Sequence, residues 1–171
     1  MLDFYRSTKI DNKILPIKFK DILEQQLAEY KAKWPLDGID LGINVVQNED
    51  FYSDDAKIWV ILNNLISNAH KFQKDNEPHK KIDLSIVVSH GVTLIKIADN
   101  GIGIHEAHQK DVFNLFHRAT QKNVGSGLGL YMVKESVDQI KGKIALESKV
   151  DEGTTIEITI PNLKPEIIQP D

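Results

Sequence analysis

The sequence predicts an α+β fold: a two-layer sandwich in which a mixed, mainly antiparallel sheet is packed on one face by about three helices. Period-two alternation recurs in runs of Ile, Leu and Val joined by Gly-bearing turns, while the segments between them carry apolar stripes at helical spacing. Each element has one apolar face, so a single sheet buried against a single layer of helices is the economical solution.

The elements follow in order. Ile22, Leu23, Leu27 and Tyr30 recur at helical spacing and stop at Pro35, giving an amphipathic helix over about 20–34. Leu41 to Val46 is a short apolar run after Asp37-Gly38 and reads as a strand. A second helix is expected over about 54–73 with Ser53 as N-cap, its apolar arc formed by Ile58, Leu62, Leu65 and Ala69. Ile82, Leu84, Ile86 and Val88 alternate, the chain turns at His90-Gly91, and Thr93, Ile95 and Ile97 alternate back as a hairpin. A shorter helix is expected from His105 to Phe116, then an irregular stretch through Ser126. The third long helix, about 127–141, turns Leu130, Val133, Val137 and Ile140 inward and takes Gly142 as its C-terminal glycine. Ile144 and Leu146, then Ile156, Ile158 and Ile160, alternate around a turn at Asp151-Glu152-Gly153.

Composition excludes several function classes. The 171 residues suit one domain with one core. With 41% hydrophobic and 27% charged residues the chain is expected to fold alone in water. A net charge of −4 without a long basic run argues against nucleic acid as partner, because phosphate-backbone binding rests on clustered Lys and Arg. The absence of Cys removes disulfides, thiolate metal sites and a Cys nucleophile, and agrees with the cytoplasm as location. Met1-Leu-Asp-Phe-Tyr-Arg shows no signal-peptide pattern, and the apolar stretch Ile58 to Ile66 falls short of the ~20 residues of a membrane helix.

Four segments point to chemistry. On the second helix Asn64, Asn68 and Lys71 fall within about 60° of one another at ~100° per residue, away from the apolar arc. A solvated polar face is the plain reading, yet repeated Asn inside a helix costs propensity that function would explain. Asp99-Asn-Gly101-Ile-Gly103-Ile104 follows a strand. Asn-Gly is an ordinary turn, and the oxygen ligands of a calcium loop are missing. A buried Asp beside two glycines nonetheless suits a purine, since its carboxylate can accept from the adenine amine and opposes the carbonyl of guanine. Gly125-Ser126-Gly127-Leu128-Gly129-Leu130 opens a helix, where backbone N–H groups and the helix N-terminus favour phosphate. It is neither a Rossmann fingerprint, since its third Gly comes one residue early, nor a P-loop, since Gly-Lys-Ser/Thr is absent. The polar segment Arg118 to Val124 is expected to lie over this cradle as a lid.

Together and in this order these segments resemble one family, the ATP-binding catalytic domains of sensor histidine kinases, within the Bergerat-fold ATPases that include DNA gyrase. Asn64 to Phe72 resembles the N box, Asp99 to Ile104 the first glycine box, Phe113 to Arg118 the F box and Gly125 to Leu130 the second glycine box. Gly153-Thr154-Thr155 resembles the short motif that follows. The likeness spans Ile14 to Pro161. It implies an ATP-binding domain at 14–161, with 1–13 as the end of a dimerisation-hairpin helix or linker and 162–171 as a tail.

By this resemblance the substrate is ATP with Mg²⁺, and Asn68 is the metal ligand. Asn64 helps hold the metal and its waters, Lys71 contacts phosphate and Phe72 lines the nucleotide. Asp99 reads the adenine amine, Gly101 and Gly103 let the base come close, and Ile104 is part of its apolar wall. Arg118 reaches the terminal phosphates; Gly125, Ser126, Gly127, Leu128, Gly129 and Leu130 form the cradle, and Thr154 lies near the adenine. Asn64, Lys71 and Arg118 are the expected catalytic groups. In hydrolytic relatives the position of Asn64 is a Glu that activates water; an amide cannot take that proton, so slow hydrolysis is expected. The acceptor would be a His on a separate dimerisation domain, because none of the six His (70, 79, 90, 105, 108, 117) lies upstream of the N box. The family further implies a response regulator as downstream partner, a homodimeric parent that in some members is membrane-anchored, and a monomeric fragment. A gyrase-type ATP-gated module and an anti-sigma-type regulatory module are the alternatives.

Overall fold

The computed structural model describes residues 13–33, 38–115 and 127–164. The element order is β1 (Ile14–Ile17), α1 (Phe19–Lys33), β2 (Ile39–Gln47), β3 (Phe51–Asp54), α2 (Asp55–Lys71), β4 (Lys80–Ser89), β5 (Val92–Asp99), α3 (Glu106–Gln109), α4 (Gly129–Gln139), β6 (Lys143–Lys149) and β7 (Gly153–Pro161). Five strands form one sheet in the order β2-β4-β5-β7-β6, while β1 and β3 pair separately. Only β2 and β4 run parallel within the larger sheet, since α2 crosses over between them; the other neighbours are antiparallel.

Alternation places one face of the sheet in the core. Ile82, Leu84, Ile86 and Val88 of β4, Ile95 and Ile97 of β5, and Ile156, Ile158 and Ile160 of β7 are all buried. The opposite face carries Lys96 paired with Glu157 across the strands, together with exposed Val92 and Leu94. Helices cover the inner face in the same order as the strands: α1 lies against β2, α2 against β5 and α4 against β6. On α2 the buried set is Ile58, Ile61, Leu62, Leu65, Ile66, Ser67 and Ala69, which includes the whole expected arc. Each fully buried Ile or Leu contributes about 1.5–3 kcal/mol, so this seam outweighs the cost of the Asn residues on the helix's other face. The sandwich architecture is therefore the expected one.

Several local expectations are corrected. Ser53 does not cap α2: it is wholly buried in β3, and the Asp54 carboxylate accepts from the Lys57 N–H at 3.1 Å in its place. β1 and β3 pair with no clear signal in the sequence, because each is four residues long and β1 contains Pro16. The helix expected from His105 to Phe116 is a single turn, Glu106–Gln109, followed by turns through 115. Its backbone bonds close over three residues, from Asp111 N to His108 O and from Asn114 N to Asp111 O, and Val112 is the buried hydrophobic of this stretch. At the end of α4 the left-handed residue is Lys141 (φ 60°), not Gly142. Gly142 is required for space instead, since a Cβ there would stand 2.9 Å from the Thr159 carbonyl oxygen.

Candidate functional site

The site lies along the second half of α2, where the helix meets two glycine-bearing segments. Asn64 back-bonds within the helix, its Nδ2 donating to the Val60 carbonyl at 2.8 Å. Its Oδ1 lies 3.2 Å from where a Cβ on Gly129 would be, and the Asn68 Oδ1 lies at the same distance. Both amides thus face the first residue of α4. Gly127 precedes that helix in the left-handed region (φ 72°), and Leu128 offers no side-chain cap. Among the described residues the leading N–H groups of α4 therefore have no side-chain cap and are open to a ligand or to solvent. The Asn68 amide makes no hydrogen bond among the described residues. Leu130 packs on the core, and Lys71 is exposed at the end of α2.

One turn further on, Phe72 caps α2 and its carbonyl accepts from the Ile102 N–H at 2.9 Å. The first glycine segment is drawn so close that a Cβ on Gly101 would stand 2.3 Å from the Phe72 oxygen. Asn100 fastens the segment on its other side, its Oδ1 accepting from Lys81 N and its Nδ2 donating to His79 O, both at 2.7 Å. Gly103 adopts φ 66°, and a Cβ there would collide with the Lys149 carbonyl at 2.0 Å. Two backbones approach each other here, and only glycine fits.

Asp99 closes β5. Its Oδ1 accepts from the Gly101 N–H at 2.8 Å. Burial pushes its carboxyl up to about 6, against the opposing pull of the Gly101 and Thr154 N–H groups. The strand register aligns Asp99 with Thr154, and Thr154 with Ser148. One step deeper the same inner face carries Ile97, Ile156 and Leu146. A polar row, Asp99, Thr154 and Ser148, thus replaces the hydrophobic one where the sheet emerges from beneath the helices.

Sequence reasoning missed Ser148 and Gln109. The Ser148 Oγ accepts from Ile104 N at 2.8 Å, donates to Gly153 O at 2.9 Å and lies 2.8 Å from the Thr154 Oγ1. Gln109 Nε2 donates to Ile104 O at 2.8 Å and to Ser148 O at 2.7 Å. A signal existed for Ser148: it continues the inward phase of Ile144 and Leu146 as a polar residue. Gln109 had none. The structure brings together Asn64, Asn68, Gly127, Leu128 and Gly129 in one group, and Phe72, Asp99, Gly101, Gly103, Ile104 and Thr154 in another. Arg118, Gly125 and Ser126 lie outside the described residues, as does the expected lid. Among the described residues no cluster of His, Asp and Glu could hold a metal. His70 faces the α1 ring of Tyr30 edge-on at 5.5 Å; its pKa is lowered by burial and then by Lys80 and Lys71.

A sequence model described as histidine kinase-, DNA gyrase B- and HSP90-like ATPase matches residues 53–164. The chain belongs to this family. Within this ATPase family it is an ATP-binding catalytic domain of the sensor histidine kinase type. It is 30% identical over 154 residues to the autoinducer 2 sensor kinase/phosphatase LuxQ of Vibrio parahaemolyticus, covering 85% of the present chain and 18% of that relative. The domain thus spans under a fifth of that relative's length. The catalytic domain of histidine kinase ThkA has the same fold, with a TM-score of 0.72 at 22% identity over 88% of this chain and 96% of that one. Full-length ShkA, solved in complex with AMPPNP, superposes with a TM-score of 0.75 at 20% identity over 91% of this chain and 32% of that one.

Proposed function

We propose that this domain binds Mg-ATP and passes the γ-phosphoryl group to a histidine on a separate dimerisation domain of the same kinase, for onward transfer to a response regulator. The observation that carries the reading is the sharing of α2 by two unlike surfaces. Asn64 and Asn68 face the open N-terminus of α4, and one turn on Phe72 holds the glycine segment beside Asp99. A triphosphate suits the first surface and an adenine the second. The unit assigned to this work is 14–161.

The donor set fits Mg²⁺. Asn68 offers a carbonyl oxygen without a competing hydrogen bond among the described residues, and Asn64 offers a second, its nitrogen being committed to Val60. Oxygen ligands of this kind would suit a hard ion that keeps most of its water. When bound, Mg²⁺ would neutralise charge on the phosphates. The chain's own groups orient the nucleotide. The Asp99 carboxylate accepts from the adenine amine, Gly101 and Gly103 admit the ring, and the N–H groups at Gly127 to Gly129 meet phosphate oxygens. Lys71 and Arg118 are assigned to phosphate contact and Phe72 and Ile104 to the walls. In the transfer, the imidazole nitrogen bonds to the γ-phosphorus as the β,γ-bridging P–O bond breaks and ADP leaves. An amide stands at Asn64, so that position gives water no base and ATP is kept for the histidine.

The test is calorimetric titration with a non-hydrolysable ATP analogue, with and without Mg²⁺, beside Asp99→Asn. A second arm supplies γ-labelled ATP and a separately purified dimerisation hairpin of a related sensor kinase. Mg²⁺-enhanced binding that needs Asp99, together with acid-labile label on the hairpin, is the expected result. A folded chain that binds no nucleotide overturns the reading, and rapid turnover of ATP by the chain alone would favour a gyrase-type module. The chain itself is expected to sediment as a monomer.

A further inference from the structure

The hydroxyl of Ser148 has more partners than it has protons, and this fixes where every proton in the polar row must be. Ile104 N–H can only donate, so the Ser148 Oγ accepts from it at 2.8 Å. The Gly153 carbonyl can only accept, so the single Ser148 proton goes there, at 2.9 Å. The 2.8 Å contact between Ser148 Oγ and Thr154 Oγ1 is then a hydrogen bond only if Thr154 is the donor. All three contacts are satisfied together in that one arrangement. It leaves the Thr154 oxygen with lone pairs and no proton to offer. Its neighbour in the register, Asp99, accepts from Gly101 and from the Thr154 N–H and likewise presents only acceptors when ionised.

We propose that Ser148 is a positioning residue for base selection: by taking the Thr154 proton it makes the whole row Asp99–Thr154 proton-accepting, so that a 6-aminopurine is bound and a 6-oxopurine is refused. The inference rests on the assignment of Asp99 and Thr154 to the adenine. Ser148 acts at a distance from the base, through Thr154 on one side and through Ile104 on the other. Gln109 supports it, tying Ile104 O and Ser148 O to one amide nitrogen and so keeping β6 and the glycine segment at a fixed spacing. Without the Ser148 hydroxyl the Thr154 proton is released, its O–H can turn toward the ligand, and a carbonyl at position 6 gains a donor. A hydrogen bond so gained or lost in a partly buried site changes discrimination by about tenfold.

The experiment compares two probes on the full chain, a non-hydrolysable ATP analogue and the same triphosphate carrying hypoxanthine, by calorimetry with Mg²⁺ present. In Ser148→Ala the preference for adenine over hypoxanthine should fall about tenfold, mostly through tighter binding of the hypoxanthine nucleotide, and Ser148→Thr should restore it. Thr154→Val should lose preference by a similar factor, and the double variant should lose little more, because both changes break the same bond. An unchanged preference in Ser148→Ala, or an equal loss for both nucleotides, overturns the proposal and leaves Ser148 a structural hydroxyl. If thermal melting shows Ser148→Ala unfolded, Thr154→Val decides on the same criterion. Wild-type chain that is folded but binds neither nucleotide defeats the nucleotide reading itself; wild-type binding that needs Asp99, with a preference indifferent to Ser148, defeats only the present inference.

Discussion

Because Asp99 ends the inner face of β5 under partial cover, its carboxyl titrates near 6 where an ordinary one does so at 3.8. Folding raises this pKa, so the folded chain holds the proton more tightly than the unfolded one. Its contribution to stability is complete below 3.8 and is lost as pH rises through about 6. At neutral pH the ionised group therefore costs the ligand-free fold something, and the proposed adenine contact would use it. Affinity for the ATP analogue should weaken as pH falls from about 8 to about 5, with the bend near 6, and Asp99→Asn should bind weakly with a flatter profile. Calorimetry across that range checks this, and a wild-type profile no steeper than that of Asp99→Asn would remove Asp99 from base recognition. Asn68 makes the complementary case, since its amide has no partner to lose among the described residues. Asn68→Ala should change unfolding free energy by no more than about 0.5 kcal/mol while abolishing the Mg²⁺-dependent part of nucleotide affinity. Urea titration paired with binding separates the two effects; a large stability loss would show that the amide is structural.

At the scale of elements, the site depends on backbones that touch. Gly103 joins a left-handed conformation to a gap of 2.0 Å between its missing Cβ and the Lys149 carbonyl. Gly103→Ala should lower stability by about 3 kcal/mol or more, because both the dihedral and the β6–β7 turn must give way. Chemical denaturation reads this directly; a loss under about 1 kcal/mol would show that the loop relaxes. The same elements mark how much was legible beforehand. The hairpins around His90-Gly91 and Asp151-Glu152 could be read because alternation is a local property, and α2 because its apolar arc is continuous. The β1–β3 pair could not, being two short runs far apart in sequence, one of them holding a proline. Ser53 against Asp54 is a one-residue question that tertiary burial decides. The glycines announced themselves as a motif, whereas Ser148 and Gln109 belong to the site only through partners brought to them by the fold.

For the molecule as a whole, the small β1–β3 sheet is bound to the large one by polar side chains at the end remote from Asp99. Asn162 accepts from Tyr52 N at 2.9 Å and donates to Asp50 O at 2.7 Å, while Gln47 Nε2 donates to Ile17 O at 2.9 Å. Asn162→Ala should cost about 1–2 kcal/mol of stability and leave nucleotide affinity within about twofold, as equilibrium unfolding and titration would show together; a parallel loss of affinity would mean that the two ends are coupled. The parallel placement of β2 beside β4 has a temporal consequence as well. β4 and β5 are joined by two residues, His90 and Gly91, and β6 and β7 by three, Val150 to Glu152, so these hairpins close quickly. β2 reaches β4 only after α2 has crossed the sheet. Pulse-labelled hydrogen exchange during refolding should protect Ile95, Ile97, Ile156 and Ile158 before Leu41 and Val45, and simultaneous protection would refute this sequence of events. The surface assigned to the base is thus laid down with the first strands to pair, and the amides assigned to the phosphates arrive with the helix that completes the sheet.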